Sequence, residues 1–276
     1  MRTHTCRPTL NDSQVLEFCK QGFLLLEGVV PDEINRRVVS FLDDNPSHEP
    51  TEILVEDWFV DNVILNPQAA GAVRSLLSQS FGLPIVMSNH RVECPSPAQG
   101  WHRDGNSQHG PALNYLQVFY YPEDCPLDMG PTELLPGSHF LFSLSKQMGH
   151  YGAIRGAFRS AAPAGSIFVT VYSIWHRRGA ASGHGMRNLL KYNYWRTEPP
   201  KRDWVRETDF DIATANYKLE GQTFREQFRD CNDAAEMFFW LLGRSDAFRL
   251  EGGQGWPLNR HVGKYLDSPY GVPVGL

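Results

Sequence analysis

The first part of the chain, residues 10–82, carries its apolar side chains mostly at helical spacing. Polar residues at 11–13 and a glycine at position 22 bracket one such stretch, which predicts a short helix with a side-chain cap and a glycine stop. Two further stretches begin at Pro31 and Pro67, and proline is favoured in the first turn of a helix. The pattern therefore predicts three helices before the chain reaches residue 82.

From residue 84 to about 200 the pattern changes to short runs that are rich in β-branched and aromatic residues and bounded by turn residues. The clearest runs lie at 84–89, 112–121, 165–174 and 188–197, and an earlier run at 23–27 has the same character. No helical stretch long enough for a crossover separates the later runs, so antiparallel pairing is predicted. A last helix is predicted at about 224–242, before a tail punctuated by glycine and proline.

Together these elements predict a mainly β fold with flanking helices, built on a double-stranded β-helix core of the jelly-roll or cupin-like kind. A length of 276 residues accommodates one such domain. We expect a single domain over 1–276, with a helical part at about 10–82, the β core at 84–200 and a C-terminal helix and tail at 201–276. The C-terminal part is expected either to cover the cavity mouth or to contribute to a homo-oligomer contact.

Composition narrows the class of partner. The chain has 26 basic and 31 acidic residues, a net charge of −5, which is too mild and too evenly spread to favour nucleic acid or an anionic membrane. Its apolar runs are too short to span a bilayer, and the N-terminus lacks the apolar core of an export signal. The five cysteines are odd in number and form no C-x-x-C pair, which is typical of reduced thiols. We therefore expect a cytoplasmic protein that acts on a small molecule.

A histidine and a carboxylate stand two positions apart in the triplet His102-Arg103-Asp104. In a strand, side chains i and i+2 point to the same face, so His102 and Asp104 can enter one cavity while Arg103 points away. One more histidine would complete a two-histidine, one-carboxylate triad, which suits iron(II) because it leaves positions open for a co-substrate and oxygen. The triplet alone is a weak signal, because chance matches to so short a motif are common.

A second histidine and an arginine follow the third of the long β runs. His176 stands just beyond that run, and Arg187 follows eleven positions later, across a glycine-rich stretch at 179–185. We interpret this stretch as a loop that returns the chain, so that Arg187 opens the next strand beside His176 and its guanidinium can grip a dicarboxylate. Taken singly, such a histidine is more often a structural residue and such an arginine more often forms a surface salt bridge.

Taken together, these segments resemble the phytanoyl-CoA dioxygenase family. The segment WHRD at 101–104, the segment GPTELLPGSH at 130–139, and His176 with Arg187 eleven positions on occur in that family's order. The opening GFLLL at 22–26 is also similar to the family's start, and the resemblance spans roughly residues 10–200. The resemblance implies a double-stranded β-helix fold, iron(II) as the metal, 2-oxoglutarate as the co-substrate and O₂ as the oxidant.

By position, the resemblance assigns the iron ligands and the co-substrate site. It implies His102, Asp104 and His176 as iron ligands, Arg187 as the partner of the distal 2-oxoglutarate carboxylate, and Gln99 and Thr132 as residues that line the co-substrate site. Arg178 is a departure, because some relatives carry a serine at this position; either Arg178 turns outward or the anion-binding end of the site is rebuilt. Halogenating relatives have a small residue in place of the carboxylate, so Asp104 favours oxygen insertion.

The expected reaction is hydroxylation of an unactivated C–H bond in a small molecule, such as a secondary metabolite. Arg177 and Arg178 beside the metal suggest an anionic substrate, and the expected substrate contacts are Trp101, Arg178 and Trp195. Two alternatives stay open: a cupin-like metalloenzyme that does not use 2-oxoglutarate, and a non-catalytic jelly-roll that binds a ligand. Dependence of activity on Arg187 separates the first alternative from the oxygenase, and an intact triad argues against the second.

Overall fold

The structure is a computed structural model that describes residues 2–105, 109–148, 150–217, 219, 227–251 and 271–276. Most of its helices lie in the N-terminal part, where the sequence predicts them. The α-helices are α1 (Asp12–Gln21), α2 (Asp32–Asp44), α3 (Asp57–Phe59), α4 (Pro67–Leu77) and α5 (Gln227–Leu241). Short 3₁₀ turns lie at Arg2–Thr5, Thr51–Val55, Ser138–Phe140 and Ser245–Ala247, and a π turn lies at Val60–Ile64. The helix predicted at 224–242 is found as α5, while residues 224–226 and most of the predicted tail lie outside the described part.

Helix α1 begins and ends at its capping residues. The Asn11 side chain accepts from the backbone N–H of Gln14 at 2.9 Å, and the Gln14 side chain accepts from the N–H of Asn11 at 3.0 Å. At the other end Gly22 adopts a left-handed φ of +83°, and its N–H donates to the carbonyl four residues back. The buried ring of His139 packs against Gly22, with Nε2 3.0 Å from the Cys19 carbonyl oxygen. The loop that contains His139 is therefore anchored on the end of α1.

Replacing Gly22 by alanine is expected to lower the free energy of unfolding by roughly 2–4 kcal/mol. A β-carbon on Gly22 would lie 2.4 Å from Nδ1 of the buried His139, and its φ of +83° is left-handed. The left-handed backbone costs a residue with a β-carbon about 1–2 kcal/mol, and overpacking adds about 1–3 kcal/mol. Urea unfolding followed by circular dichroism measures the loss.

Gly28→Ala is the matched control for this prediction. Gly28 also has a left-handed φ, +59°, but the nearest atom to its β-carbon position is 4.0 Å away. This control should lose only the backbone component, about 1–2 kcal/mol. Equal losses in the two variants would show that the close approach to His139 contributes nothing to the cost.

Most of the described strands belong to two antiparallel sheets. The strands are β1 (Phe23–Leu26), β2 (Ser88–Asn89), β3 (Val92–Ser96), β4 (Trp101–His102), β5 (Tyr115–Tyr121), β6 (Thr132–Leu134), β7 (Gln147–Met148), β8 (Phe158–Arg159), β9 (Ser166–Val171), β10 (His176–Arg178), β11 (Ala181–Arg187), β12 (Leu190–Trp195), β13 (Arg249–Glu251) and β14 (Val272–Val274). The first sheet has the order β1-β9-β5-β12-β2, and the second has the order β7-β4-β10-β6-β8. Two separate pairs, β11 with β3 and β13 with β14, are also antiparallel. This sheet-rich architecture confirms the mainly β fold with flanking helices, while the double-stranded β-helix core stays a prediction.

The two faces of the first sheet have different neighbours. The even-numbered side chains of β5 are buried in one hydrophobic core with Val15 of α1 and Leu76 of α4. The odd-numbered side chains from Gln117 to Tyr121 alternate with them and point toward the second sheet. On that side the ring of Phe119 lies 5.6 Å from the ring of His176 in β10. Because both faces of β5 are covered, its sequence is a nearly continuous apolar run instead of an alternating one.

A hydrophobic cluster covers the outward face of the second sheet. Its buried members are Trp101, Leu135 and Trp175. Arg177 of β10 lies on the same face, where it pairs with Glu133 at 2.6 Å and places its guanidinium over the Trp101 ring. Because successive side chains of a strand alternate between faces, His102 and His176 point the other way, toward the first sheet. The space between the sheets therefore receives both histidines.

The structure corrects the sequence interpretation of residues 179–187. The glycine-rich stretch is not a loop, because Ala181–Arg187 forms β11 and pairs with β3, with a register shift between Ala181 and Gly185. Arg187 therefore closes β11 and does not open the next strand, which begins at Leu190. Glycine is unfavourable in strands on its own, but pairing with a neighbouring strand overrides that preference.

No helix within the described residues combines the length and the hydropathy that crossing a membrane requires. The cysteines whose side chains the structure describes, Cys6, Cys19, Cys94 and Cys125, are free thiols. Burial raises the pKa of the Cys19 and Cys125 thiols, which keeps both protonated at neutral pH.

Candidate metal centre

Three side chains meet between the two sheets. Nε2 of His102 lies 3.8 Å from Oδ1 of Asp104, and Nε2 of His176 lies 3.5 Å from Oδ2 of the same carboxylate. One ligand atom from each of the three residues lies within 4.8 Å of the other two. Two histidines and one carboxylate on one side of a metal form the facial triad of non-haem iron sites. The residues that the sequence singles out as ligands are therefore gathered at one point.

The backbone orients both imidazoles in the same way. His102 ends β4 and His176 begins β10, where the two are directly opposite each other across the strand pair. Nδ1 of His102 lies 2.9 Å from the Gly100 carbonyl, and Nδ1 of His176 lies 3.1 Å from the Ile174 carbonyl. Because a carbonyl only accepts, each Nδ1 carries a proton, which leaves Nε2, on the side of Asp104, as the ring nitrogen available to a metal.

The charges at this point suit a divalent cation. Burial by itself raises the pKa of Asp104, but His176 and Lys191 outweigh it and hold that pKa well below its ordinary value. Lys191 donates to Oδ2 at 2.9 Å, and the Gln117 amide donates to the same oxygen. Burial, together with His176, lowers the pKa of His102. At neutral pH the carboxylate is therefore ionised and His102 is neutral, the forms in which both residues bind metal.

Arg187 is a buried cation with spare hydrogen-bond donors. Its side chain is 3% exposed, and Nη2 lies 3.4 Å from the Tyr121 hydroxyl and 3.4 Å from Oγ1 of Thr132. Nε and Nη1 are buried and have no acceptor among the described residues. A buried guanidinium without an acid is costly, so this arrangement suits an anion that the protein itself does not supply. Thr132, predicted to line the co-substrate site, contacts Arg187 directly.

Strand β5 relates the arginine to the triad. Gln117 contacts Asp104, Phe119 packs against His176, and Tyr121 contacts Arg187. These three residues alternate along one face, and two residues of a strand rise about 7 Å. Arg187 thus lies about one two-residue repeat of β5 beyond the triad, a separation that a five-carbon dicarboxylate can span.

Gln99 and Trp195 lie at the margins of this arrangement. Gln99 is exposed; its Oε1 accepts from the Arg178 N–H at 3.3 Å, and its own N–H donates to the Arg178 carbonyl at 3.0 Å. Trp195 of β12 is directly opposite Tyr115 of β5 and lies on the same face of β12 as Lys191. Its ring packs against Gly82. Gln99 therefore adjoins Arg178, whereas Trp195 adjoins the exposed end of β5.

Trp101 does not face the triad, which corrects the expectation that it contacts substrate, and Arg177, taken with Arg178 to suggest an anionic substrate, does not face the triad either. Trp101 is fully buried on the outward face of the second sheet, and its Nε1 donates to the Gly152 carbonyl at 2.8 Å. Arg177 lies on that face in its ion pair with Glu133. Neighbours of inward-facing histidines must point outward in a strand, so the alternation rule that separates Arg103 from His102 applies to both.

Three polar residues near the triad belong to no motif. Gln117 and Lys191 contact Asp104, and His90 lies close enough to Lys191 for that charge to assist burial in lowering the pKa of His90 to about 3. The sequence pattern predicts no site role for any of the three. The available signal was a polar residue inside each apolar run, Gln117 in 112–121 and Lys191 in 188–197.

The fold is shared with solved structures of two proteins. HygX from Streptomyces hygroscopicus, crystallised with nickel and 2-oxoglutarate, superposes with a TM-score of 0.54 at 18% identity, covering 78% of this chain and 96% of that chain. HygX with iron bound gives a TM-score of 0.55 at 16% identity, covering 71% and 90%. SnoN, described as a non-heme alpha ketoglutarate dependent epimerase from nogalamycin biosynthesis, gives 0.54 at 16% identity, covering 66% and 81%. At such identities the likeness establishes the fold alone.

No protein-family model matches the sequence, and no curated protein is similar enough to count as a relative. The resemblance to the phytanoyl-CoA dioxygenase family therefore stays a prediction. One HygX structure contains iron and another contains nickel and 2-oxoglutarate. This chain presents two histidines and a carboxylate together in a fold of the same kind.

Proposed function

We propose that this chain is a non-haem iron(II)- and 2-oxoglutarate-dependent oxygenase with a double-stranded β-helix core. One observation carries the proposal: a buried guanidinium with two nitrogens that have no acceptor among the described residues lies near a two-histidine, one-carboxylate cluster. A metal site alone would not require the arginine. The buried Arg103, which also has no acid among the described residues, donates instead to the Ser143 and Ser145 carbonyls. The binding of iron and 2-oxoglutarate by HygX and SnoN, proteins of the same fold, supports this proposal.

In this proposal His102, Asp104 and His176 hold the iron, and Arg187 holds the distal carboxylate of 2-oxoglutarate with Thr132 beside it. Held by these residues, iron(II) with 2-oxoglutarate and O₂ would supply the oxidising chemistry, with succinate and CO₂ as co-products. The protein contributes position and a dry cavity. Lys191 and Gln117 fix the Asp104 carboxylate, and Phe119 covers His176 and excludes water from that side. No general base is required.

The substrate is proposed to enter from the exposed end of β5. The co-substrate end is at Tyr121, so the opposite end, at Tyr115, is left for the substrate. Tyr115 is 54% exposed, and its ring lies 6.2 Å from that of Tyr172. Burial and then the charge of Asp104 raise the pKa of Tyr172, which indicates that its hydroxyl is near the triad. Trp195, opposite Tyr115, is the predicted substrate contact that fits this entrance.

Hydroxylation of a small molecule is the proposed outcome. Epimerisation is the second candidate, because SnoN, which shares the fold, is described as an epimerase. Mass analysis of the product separates the two: hydroxylation adds one oxygen atom, whereas epimerisation leaves the mass unchanged.

Anaerobic titration of the metal-free protein with iron(II) and 2-oxoglutarate tests the proposal. We expect the weak visible charge-transfer band of an iron-bound 2-oxo acid, followed by succinate formation when O₂ is admitted. Iron binding without the band would favour the cupin-like metalloenzyme that does not use 2-oxoglutarate. Absence of metal binding would favour the non-catalytic jelly-roll.

A further inference from the structure

Arg178 shares a face with the metal-binding histidine. It stands two residues after His176 on β10, so its side chain points toward the first sheet, unlike that of Arg177. In the strand pair of β10 and β6, Arg178 is directly opposite Thr132. Side chains opposite each other in antiparallel strands have β-carbons about 5 Å apart. Since Thr132 contacts Arg187, the two arginines approach the same threonine from different strands.

The side chain of Arg178 is tethered but not neutralised. Nη1 donates to Oγ of Ser96 at 2.7 Å, while Nε is buried and has no acceptor among the described residues. None of the ion pairs between described residues includes Arg178 or Arg187. With no acid among the described residues beside them, both guanidiniums keep hydrogen-bond donors that an anion can engage.

We propose that Arg178 is a second binding residue for the distal carboxylate of the co-substrate, so that this end of the site is a two-guanidinium clamp. The inference rests on the proposed function. It assigns Arg178 to the co-substrate and not to an anionic substrate, because Arg178 lies with Thr132 and Arg187, away from the Tyr115 end of β5. The sequence leaves two alternatives for Arg178, an outward-facing side chain or a rebuilt anion-binding end of the site, and the clamp corresponds to the second.

The clamp has a consequence for ligand selectivity. Hydrogen bonds from a charged donor to a carboxylate are about twice as strong as neutral ones, so an arginine adds more affinity than the serine it replaces. That gain depends on a distal carboxylate. Substitution of Arg178 should therefore leave the affinity for 2-oxo acids that lack a distal carboxylate unchanged.

The experiment compares two ligands that share the same chelating end. Iron(II)-loaded protein is titrated anaerobically with 2-oxoglutarate and with 2-oxobutyrate, which has no distal carboxylate, and the charge-transfer band reports binding. In Arg178→Gln we expect 2-oxoglutarate to bind roughly 10- to 100-fold more weakly, as for loss of a charged hydrogen bond. The affinity for 2-oxobutyrate should not change, which also demonstrates an intact iron site. Arg178→Lys should recover part of the loss, since it keeps the charge but not the planar fork.

Arg159→Gln is the matched control, because Arg159 is an exposed arginine of the second sheet, 60% exposed at its side chain. It should leave both affinities unchanged. Unaltered 2-oxoglutarate affinity in Arg178→Gln would overturn the clamp, and so would equal weakening of both ligands, which indicates general damage. If the wild-type protein gives no band with either ligand, the proposed function itself fails. That result differs from the two outcomes that overturn only the clamp, because those are seen in the variant while the wild-type protein still binds 2-oxoglutarate.

Discussion

Replacing His176 by alanine is expected to abolish iron(II) binding and every activity that depends on it. His176 is 3% exposed and supplies one of three candidate ligands, with Nδ1 bound to the backbone and Nε2 aimed at Asp104. Loss of a residue that merely orients a ligand lowers metal affinity 10- to 100-fold, so loss of the ligand itself should cost more than about 100-fold. The charge-transfer band and succinate formation should both disappear.

Iron content after anaerobic desalting, and the titration band, measure this effect. His184→Ala is the control, because it removes an exposed imidazole from β11, the next strand along the chain. Asp104→Asn provides an independent test that preserves side-chain shape while removing the charge. Urea unfolding of each variant establishes that it folds. Iron affinity close to wild type in both His176→Ala and Asp104→Asn would disprove the assignment of the triad.

Local rules account for what the sequence predicts well. Helices α1 and α4 begin at asparagine caps, Asn11 and Asn66, and the glycine at 22 ends the first of them. The long strands β5, β9 and β12 lie inside predicted apolar runs. The pairing of His102 with Asp104 follows from two-residue periodicity. Each of these features depends on residues that are neighbours in sequence.

Features that depend on distant strands are not predicted. The pairing of β11 with β3 is non-local, and the glycines of β11 conceal it. Gln117 and Lys191 escape notice for the same reason, because only assembly of the first sheet brings them to Asp104. Trp101 is a different case, because the alternation that turns Arg103 away from His102 is local and also turns Trp101 away.

The site around Arg187 depends both on local sequence spacing and on contacts between distant strands. Its spacing from His176 is visible in the sequence, but its environment arises from Tyr121 on β5 and Thr132 on β6. These two hydroxyls engage one nitrogen and leave two buried nitrogens without acceptors among the described residues. A purely structural arginine would be better satisfied. The distinction has a measurable consequence, because ligand affinity and stability should respond to substitution in opposite directions.

Replacing Arg187 by methionine is expected to weaken 2-oxoglutarate binding by about 100-fold or more, since a bidentate charged contact is lost from a buried site. Without ligand the variant should be as stable as the wild type or more so, because methionine fills similar volume without a buried unpaired charge. Anaerobic titration measures the first effect, and urea unfolding of the metal-free protein measures the second. Affinity for 2-oxobutyrate should be retained, which excludes damage to the triad. If Arg187 were instead a structural residue, Arg187→Met would lower the free energy of unfolding and weaken both 2-oxo acids alike, and the co-substrate site would have to lie elsewhere.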